Sequence, residues 1–230
     1  MLAVAGAAVI VSAGLGTRLG LWDFRIGFSV LRYGAWIAIG AGALSAWAMF
    51  VTRPGGTARG IRLASAGLVI AAVAAGVPLS WLVTARTVPP IHDISTDLQN
   101  PPEFVAVLPL RREAPNPATY GGPDVAAQQR AAYPDVKSLL LPVAAAEAFD
   151  QALSLARIKG WEIVAADPAT GRIEATDTTL WFGFKDDIVI RVTPVTGGAR
   201  IDVRSVSRVG RSDVGTNARR IKTFLTELAR

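Results

Sequence analysis

His92, the only histidine of the 230-residue chain, lies beside carboxylates that could take part in chemistry. Asp93 and Asp97 share with it the segment HDISTD (residues 92–97), and a catalytic arrangement would have the imidazole facing Tyr120. A histidine near carboxylates can act as a general base or bind a divalent metal. A zinc site normally takes three or four protein ligands, so this spacing is a weak signal. We favour the alternative, in which these side chains stabilise a local turn.

A hairpin near the C-terminus supplies the next candidates. Gly197-Gly198 predicts a two-residue turn between strands at 187–195 and 200–207. With these two glycines as the loop, Arg191 lies opposite Arg204 and Asp187 lies opposite Arg208. The predicted core face of the hairpin comprises Ile188, Ile190, Val192, Ile201 and Val203.

Two arginines directly opposite each other are unfavourable unless a carboxylate or a bound anion lies between them. Asp202 or Glu174 could neutralise Arg191 and Arg204 in a solvated ion-pair network, which we favour. The alternative is a site for an anion or a lipid headgroup.

The segment at 208–217 offers arginines, glycines and free amide groups ahead of a helix, which anion sites use. Asp213 counts against an anion there, and the alternative is a turn capped by Ser212 and Asp213. The residues predicted to bind an anion or a partner are Arg191, Arg204, Arg208, Arg211, Ser212 and Asn217.

The elements that must position these residues form an α+β domain at 118–230. The pattern is a weak helix at 124–132, a short strand at 136–141, a helix beginning at Pro142 and ending before Gly160, four strands and a last helix at 214–228. This order predicts an antiparallel sheet with helices on one face. The aromatic residues at 181–184 are predicted to pack across the sheet, with a lipid or partner contact as the alternative.

Residues 86–117 form a Pro-rich linker that is predicted to pack on the domain, with one short strand at 104–110. Residues 1–85 are predicted to be an α-helical transmembrane region of about three helices, with spans near 1–17, 33–51 and 63–83. An interfacial helix is predicted at 18–32, with an inter-span loop as the alternative. The rival for residues 1–17 is a cleaved signal peptide.

Charge divides unevenly along the chain. Residues 1–83 hold six Arg and one acidic residue (+5), whereas residues 84–230 hold 18 Lys/Arg and 17 Asp/Glu (+1). The basicity therefore flanks the apolar segments, and no nucleic-acid partner is predicted. The segments at 18–32 and 53–62 hold three Arg each, and placing the shorter one, 53–62, inside the cell puts the C-terminal domain in a bacterial periplasm, attached to the inner membrane. Because the chain has no Cys, disulfides and thiol chemistry are excluded.

From His92 onward the chain resembles the bacterial and plastid family of domain of unknown function 1499. The matching segments are HDISTD at 92–97, NPPEF at 100–104, YPDVKSL at 133–139, GWEIVAADPATGRIEATDTTLWFGFKDD at 160–187 and SRVGRSDVGTNARRI at 207–221. The resemblance implies a membrane-associated or envelope protein and supplies no activity.

The sequence thus predicts a multi-pass membrane protein whose periplasmic domain is a binding or interaction module of the cell envelope. Its partners would be the lipid bilayer and an envelope protein, an anionic lipid or a small anion, and no cofactor or metal is predicted. The alternative is an envelope enzyme, hydrolase-like or metal-assisted, that uses His92 and the neighbouring carboxylates.

Overall fold

A computed structural model of the chain describes residues 1–53 and 60–230 in two compact units. A helical unit comprises Met1–Arg86 together with Leu180–Gly183, and a C-terminal domain comprises Thr87–Thr179 and Phe184–Arg230. Most of the loop at 53–62, on which the predicted orientation depends, lies outside the described residues.

The helical unit contains helices α1 (Leu2–Arg18), α2 (Phe24–Thr52) and α3 (Ile61–Thr87). Two of them, α2 and α3, are long and apolar enough to cross a membrane, while α1 is a shorter apolar helix of 17 residues. We expected about three membrane-spanning helices, and the structure has two candidates, α2 and α3. The interfacial helix predicted at 18–32 does not form separately, because residues from Phe24 onward continue without a break into α2.

Small residues let α1 and α2 approach closely. A Cβ atom built on Gly6 would lie 2.9 Å from the backbone nitrogen of Ala38, and one on Gly34 would lie 2.8 Å from Cγ1 of Ile10. Such contacts are typical of helix pairs whose association depends on van der Waals packing.

The domain is built on an antiparallel sheet. Its strands are β1 (Asp93–Ser95), β2 (Leu139–Leu141), β3 (Glu162–Asp167), β4 (Arg172–Thr178), β5 (Lys185–Val195) and β6 (Gly198–Ser207). They lie in the order β1-β6-β5-β4-β3, with β2 also paired to β6. The helices are α4 (Gly122–Ala132), α5 (Ala145–Ile158) and α6 (Thr216–Leu228). The predicted α+β class is confirmed, although α5 begins at Ala145 and not at Pro142.

One face of the sheet packs against α5 and α6. The core there includes Ile188, Ile190 and Ile201 from the hairpin, and Trp161 stacks on Phe224 with ring centroids 5.1 Å apart. This is the predicted core face. It buries the apolar stripes of both helices, which is the main stabilising contribution to such a fold.

The opposite face of the sheet is covered by a segment that we call the strap, residues 97–118. Phe104 and Val107 pack on Val189 and Val206 of this face. The strand predicted at 104–110 does not form; the strap contains a short 3-10 helix, Leu108–Arg111.

The β5–β6 register differs from the predicted one by two residues. Val195 pairs with Gly198, so Arg191 lies opposite Asp202, and Arg204 lies opposite Val189. Because side chains alternate with a period of two, a shift of two changes every pair and leaves each residue on its predicted face. The core face was therefore predicted correctly and the directly opposite pairs were not, although Asp187 and Arg208 still form an ion pair.

Candidate functional site

His92 and its two neighbouring carboxylates point to different partners. The Asp93 carboxylate binds Arg204, and the Asp97 carboxylate binds Arg191 and Arg200. Nδ1 of His92 lies 3.4 Å from the carbonyl oxygen of Arg211. Within residues 1–53 and 60–230, no group of three or more His, Asp or Glu side chains is arranged to hold a metal ion.

Arg204 lies in the interior of the domain, with 2% of its side chain exposed. Its Nε and Nη2 donate to both oxygens of Asp93 at 2.9 and 2.8 Å, and it also donates to the carbonyl oxygens of Pro102 and Ala118. The guanidinium carbon lies 5.2 and 5.4 Å from the ring centroids of Phe104 and Tyr120. Arg204 thus connects both ends of the strap to the sheet.

Arg191 takes part in a half-buried ion-pair network. It donates to Asp97 at 3.1 Å and to Asp202 at 2.9 Å, and Arg200 donates to the same two carboxylates. Burial opposes ionisation of Asp97, but hydrogen bonds from the amides of Asn100 and Gln99 and the two guanidinium charges hold its pKa below the usual range. Of the two carboxylates considered for Arg191, Asp202 is the one that pairs with it, and Asp97 is a second partner.

Glu174, the other carboxylate considered for that role, binds the strap backbone. Its side chain is fully buried and accepts hydrogen bonds from the amides of Val105, Ala106 and Val107, each at 3.0 Å. Nε of Arg172 lies 3.1 Å from the same carboxylate. Such charge-assisted bonds to three successive amides fix the strap conformation.

A third buried carboxylate, Asp187, joins the strap to the sheet through two arginines. It accepts hydrogen bonds from Arg111 of the strap, from Arg208 and from Thr176. Burial opposes ionisation of Asp187, yet these donors outweigh it and lower the pKa of the carboxyl group. Arg208 also donates to the carbonyl oxygen of Leu110 at 3.1 Å.

Sequence reasoning missed Arg111 and the strap-binding role of Glu174. Arg111 and Asp187 lie 76 positions apart, and Glu174 lies 67 to 69 positions from the amides it binds. The one available signal is an Arg within a Pro-rich, partly apolar segment, which does not identify a partner.

The turn before α6 gives the remaining predicted residues different environments. Asn217 is buried and bonds to Ser205 and to the carbonyl oxygen of His92. Ser212 accepts from the amide of Val214, and Asp213 accepts from the amides of Gly215 and Asn217 at the start of α6, so both side chains cap this turn as expected. Burial raises the pKa of Asp213.

Arg211 is exposed, and its guanidinium has no hydrogen bond or ion pair with the part of the chain that the structure describes. The adjoining turn holds Val214 at a φ of 52°, a left-handed conformation that is unusual for a β-branched residue. Of the six residues predicted to bind an anion or partner, Arg211 is the one that combines exposure with an unengaged charge.

The aromatic residues at 181–184 do not pack across the sheet as predicted. Trp181 and Phe182 belong to the helical unit, where the indole nitrogen of Trp181 donates to the carbonyl oxygen of Val11 at 3.2 Å. The Phe182 ring lies 5.1 Å from that of Phe28.

Together these features define a class: an α+β domain with a strap bound by buried ion pairs, preceded by apolar helices of which two are long enough to span a membrane. A family model described as protein of unknown function (DUF1499) matches residues 93–228. The chain belongs to this family, as its resemblance indicated. No curated protein matches the chain.

Proposed function

We propose that this protein is a membrane-anchored binding module of the bacterial cell envelope, with its C-terminal domain in the periplasm. The length and apolar composition of α2 and α3 support anchoring. The arginines of the loop at 53–62 support the orientation, because basic residues are enriched in cytoplasmic loops.

The binding role is supported by which charged side chains are paired within the domain and which one is not. Asp93 and Asp97, the carboxylates that a His92-based enzyme would need, are each bound by arginines that hold the domain together. Arg211 is exposed beside a strained turn, and local strain is often retained where it serves a function. The proposed contact is the turn that carries Arg211, with an anionic envelope component or a partner protein.

Orientation can be tested with single cysteines, because the chain has none of its own. We expect Lys137→Cys, exposed in the domain, to react with a membrane-impermeant maleimide in spheroplasts. Gly60→Cys, within the loop at 53–62, should react only after the membrane is permeabilised. The reverse pattern would place the domain in the cytoplasm and contradict the proposal.

The binding role can be tested by photo-crosslinking in cells. A photoreactive residue at Arg219, exposed in the first turns of α6, should give a discrete adduct that weakens when Arg211→Ala is added. The control position is Ala127, which is exposed on α4. Identical adducts from both positions, unaffected by Arg211→Ala, would contradict binding at this turn.

A further inference from the structure

Four residues of the loop between β4 and β5 belong to the helical unit, although the strands on both sides of them belong to the domain. We call this segment, Leu180–Gly183, the tongue. Besides the contacts of Trp181 and Phe182 already described, Arg18 of α1 donates to the carbonyl oxygen of Leu180 at 2.8 Å. Because the tongue is continuous with both strands, the packing of α1 is linked covalently to the β4–β5 hairpin.

Two carboxylates lie directly opposite each other near the ends of the strands that carry the tongue. Asp177 of β4 pairs with Asp186 of β5, and like charges in such a position repel each other. Arg220 of α6 bridges them, donating to Asp177 at 2.9 and 2.7 Å and to Asp186 at 2.6 Å. Arg220 and Asp186 are buried, with 6% and 4% of their side chains exposed. The base of the tongue therefore depends on a residue of α6 for its charge balance.

The same arginine is connected to the turn that carries Arg211. Nη1 of Arg220 donates to Asn217 and, at 3.1 Å, to Ser205. The amide of Asn217 in turn donates to the carboxylate of Asp213 at 2.6 Å, and Asp213 lies close enough to Arg220 for their charges to interact. Since Asp213 caps the first turn of α6, a displacement of this turn also disturbs the groups that position Arg220.

Two hydrogen bonds close the tongue at its base. The amide of Thr179 donates to the carbonyl oxygen of Phe184, and the amide of Phe184 donates to Oγ1 of Thr179, each at 2.8 Å. These bonds hold the ends of the tongue together directly beyond Asp177 and Asp186. If the two carboxylates move apart, the closure is lost and the tongue cannot keep its shape.

We infer that Arg220 is a positioning residue that couples α6 to the packing of the tongue in the helical unit. While Arg220 bridges the two carboxylates, the tongue is closed and its tip packs on α1; without the bridge, the strand ends separate and the tip is released. A ligand that displaces the turn at Arg211 acts on the same bridge through Asp213 and Asn217. This last step rests on the proposed binding role of the turn, whereas the dependence of the tongue on Arg220 does not.

The test uses the full chain in detergent, with an engineered disulfide that reports the packed tongue. A Cβ atom on Gly183 would lie 3.4 Å from Cβ of Arg18, close to the separation that a disulfide requires, and the chain has no cysteine of its own. Arg18→Cys with Gly183→Cys should therefore cross-link at a rate that follows the packed fraction. Both cysteines are present in every chain compared, so the strain of a side chain at Gly183, whose φ is 70°, is common to all.

We expect Arg220→Gln to slow disulfide formation about tenfold, within the usual range for coupled sites. Adding Asp186→Asn should restore most of the rate, because it removes one of the two charges that repel. The matched control is Arg219→Gln, an exposed arginine of the same helix, which should leave the rate unchanged. Hydrogen exchange at the amides of Thr179 and Phe184 in the cysteine-free chain gives the same comparison without the engineered pair.

Coupling to the turn is measured with a second pair of variants. Asp213→Ala removes the cap of α6 and should slow cross-linking when Arg220 is present. It should have no further effect in the chain that carries Arg220→Gln and Asp186→Asn, because the bridge through which it acts is already absent.

The outcomes keep this inference apart from the proposed function. An unchanged rate in Arg220→Gln, or a slow rate that Asp186→Asn does not restore, would overturn the role of Arg220 and leave binding at Arg211 intact. Equal effects of Asp213→Ala with and without the bridge would overturn coupling to the turn. Photo-crosslinking that does not depend on Arg211 would overturn the binding role without changing any of these rates.

Discussion

Arg204 carries a full positive charge in the interior of the domain, where it is matched by Asp93. We predict that Arg204→Ala destabilises the chain by about 3–5 kcal/mol, because a buried carboxylate would lose its partner. Arg211→Ala, at an exposed and unpaired position, should change the free energy of unfolding by no more than about 0.5 kcal/mol. Urea unfolding of the detergent-solubilised chain measures both, and equal effects would contradict the structural role of Arg204.

Asp97 gives a prediction about pH. Its pKa is lowered in the folded state, so its stabilising contribution is fully present above the unfolded value of about 3.9 and is lost as pH falls through the folded value. Asp97→Asn keeps an oxygen for the amides of Gln99 and Asn100 but loses the ion pairs. The difference in unfolding free energy between wild type and variant should therefore be constant near neutral pH and shrink below about pH 4. A difference that grows in acid would contradict this assignment.

Ion pairs between side chains could be predicted from the sequence only where both residues lie on predicted helices or strands. Arg191 and Asp202 are on the predicted hairpin, so their pairing was among the alternatives. Arg204 was predicted to lie on a binding surface, and the strap that buries it has no periodic pattern from which its path could be inferred. Long-range ion pairs with an irregular segment are determined by tertiary packing.

At the scale of elements, the α1–α2 contact depends on glycines at particular positions. We predict that Gly34→Val lowers the stability of the helical unit by about 1–3 kcal/mol through overpacking, since even a Cβ atom there would lie 3.0 Å from the backbone nitrogen of Ile10. Gly40→Val on the same helix is the control, because a Cβ atom there meets no atom within 4 Å. Thermal unfolding in detergent compares the two, and equal melting temperatures would contradict the packing.

The strap provides a second prediction at this scale. Glu174→Gln should cost about 1.5–3 kcal/mol, the range for hydrogen bonds to a charged group, and should loosen the strap. Hydrogen exchange at the amides of residues 105–107 should accelerate relative to Glu147→Gln, which changes an exposed carboxylate of α5. Unchanged protection at these amides would show that Glu174 does not hold the strap.

The order and type of the domain's long elements followed from hydrophobic periodicity and turn residues, since these are local signals. The register of the β5–β6 hairpin did not, because the tight turn lies at Thr196-Gly197, with Gly198 already paired to Val195. Periodicity also could not show that the residues from Phe24 onward continue as one helix with the predicted span after them. Both errors concern how neighbouring segments join.

At the scale of the whole molecule, the two units are not simply an N-terminal and a C-terminal part of the chain. Leu180–Gly183 lie within the domain sequence but pack in the helical unit. We predict that a fragment of residues 87–230 self-associates, because Phe182, 8% exposed in the full chain, would lose its neighbours. Adding Trp181→Ser and Phe182→Ser should restore a monomer by size-exclusion chromatography. A monomeric fragment without these changes would contradict the prediction.

Because Leu180–Gly183 belong to the helical unit, that unit cannot be completed until this late segment has been synthesised. At about 5–20 residues per second, the ribosome needs roughly 5–20 s to proceed from the end of α3 to Trp181. Throughout that interval α1 lacks the indole that fills the space beside Gly14, where a Cβ atom would lie 2.2 Å from Cδ1 of Trp181. Helix α1 therefore reaches its final packing only after Trp181 has been made.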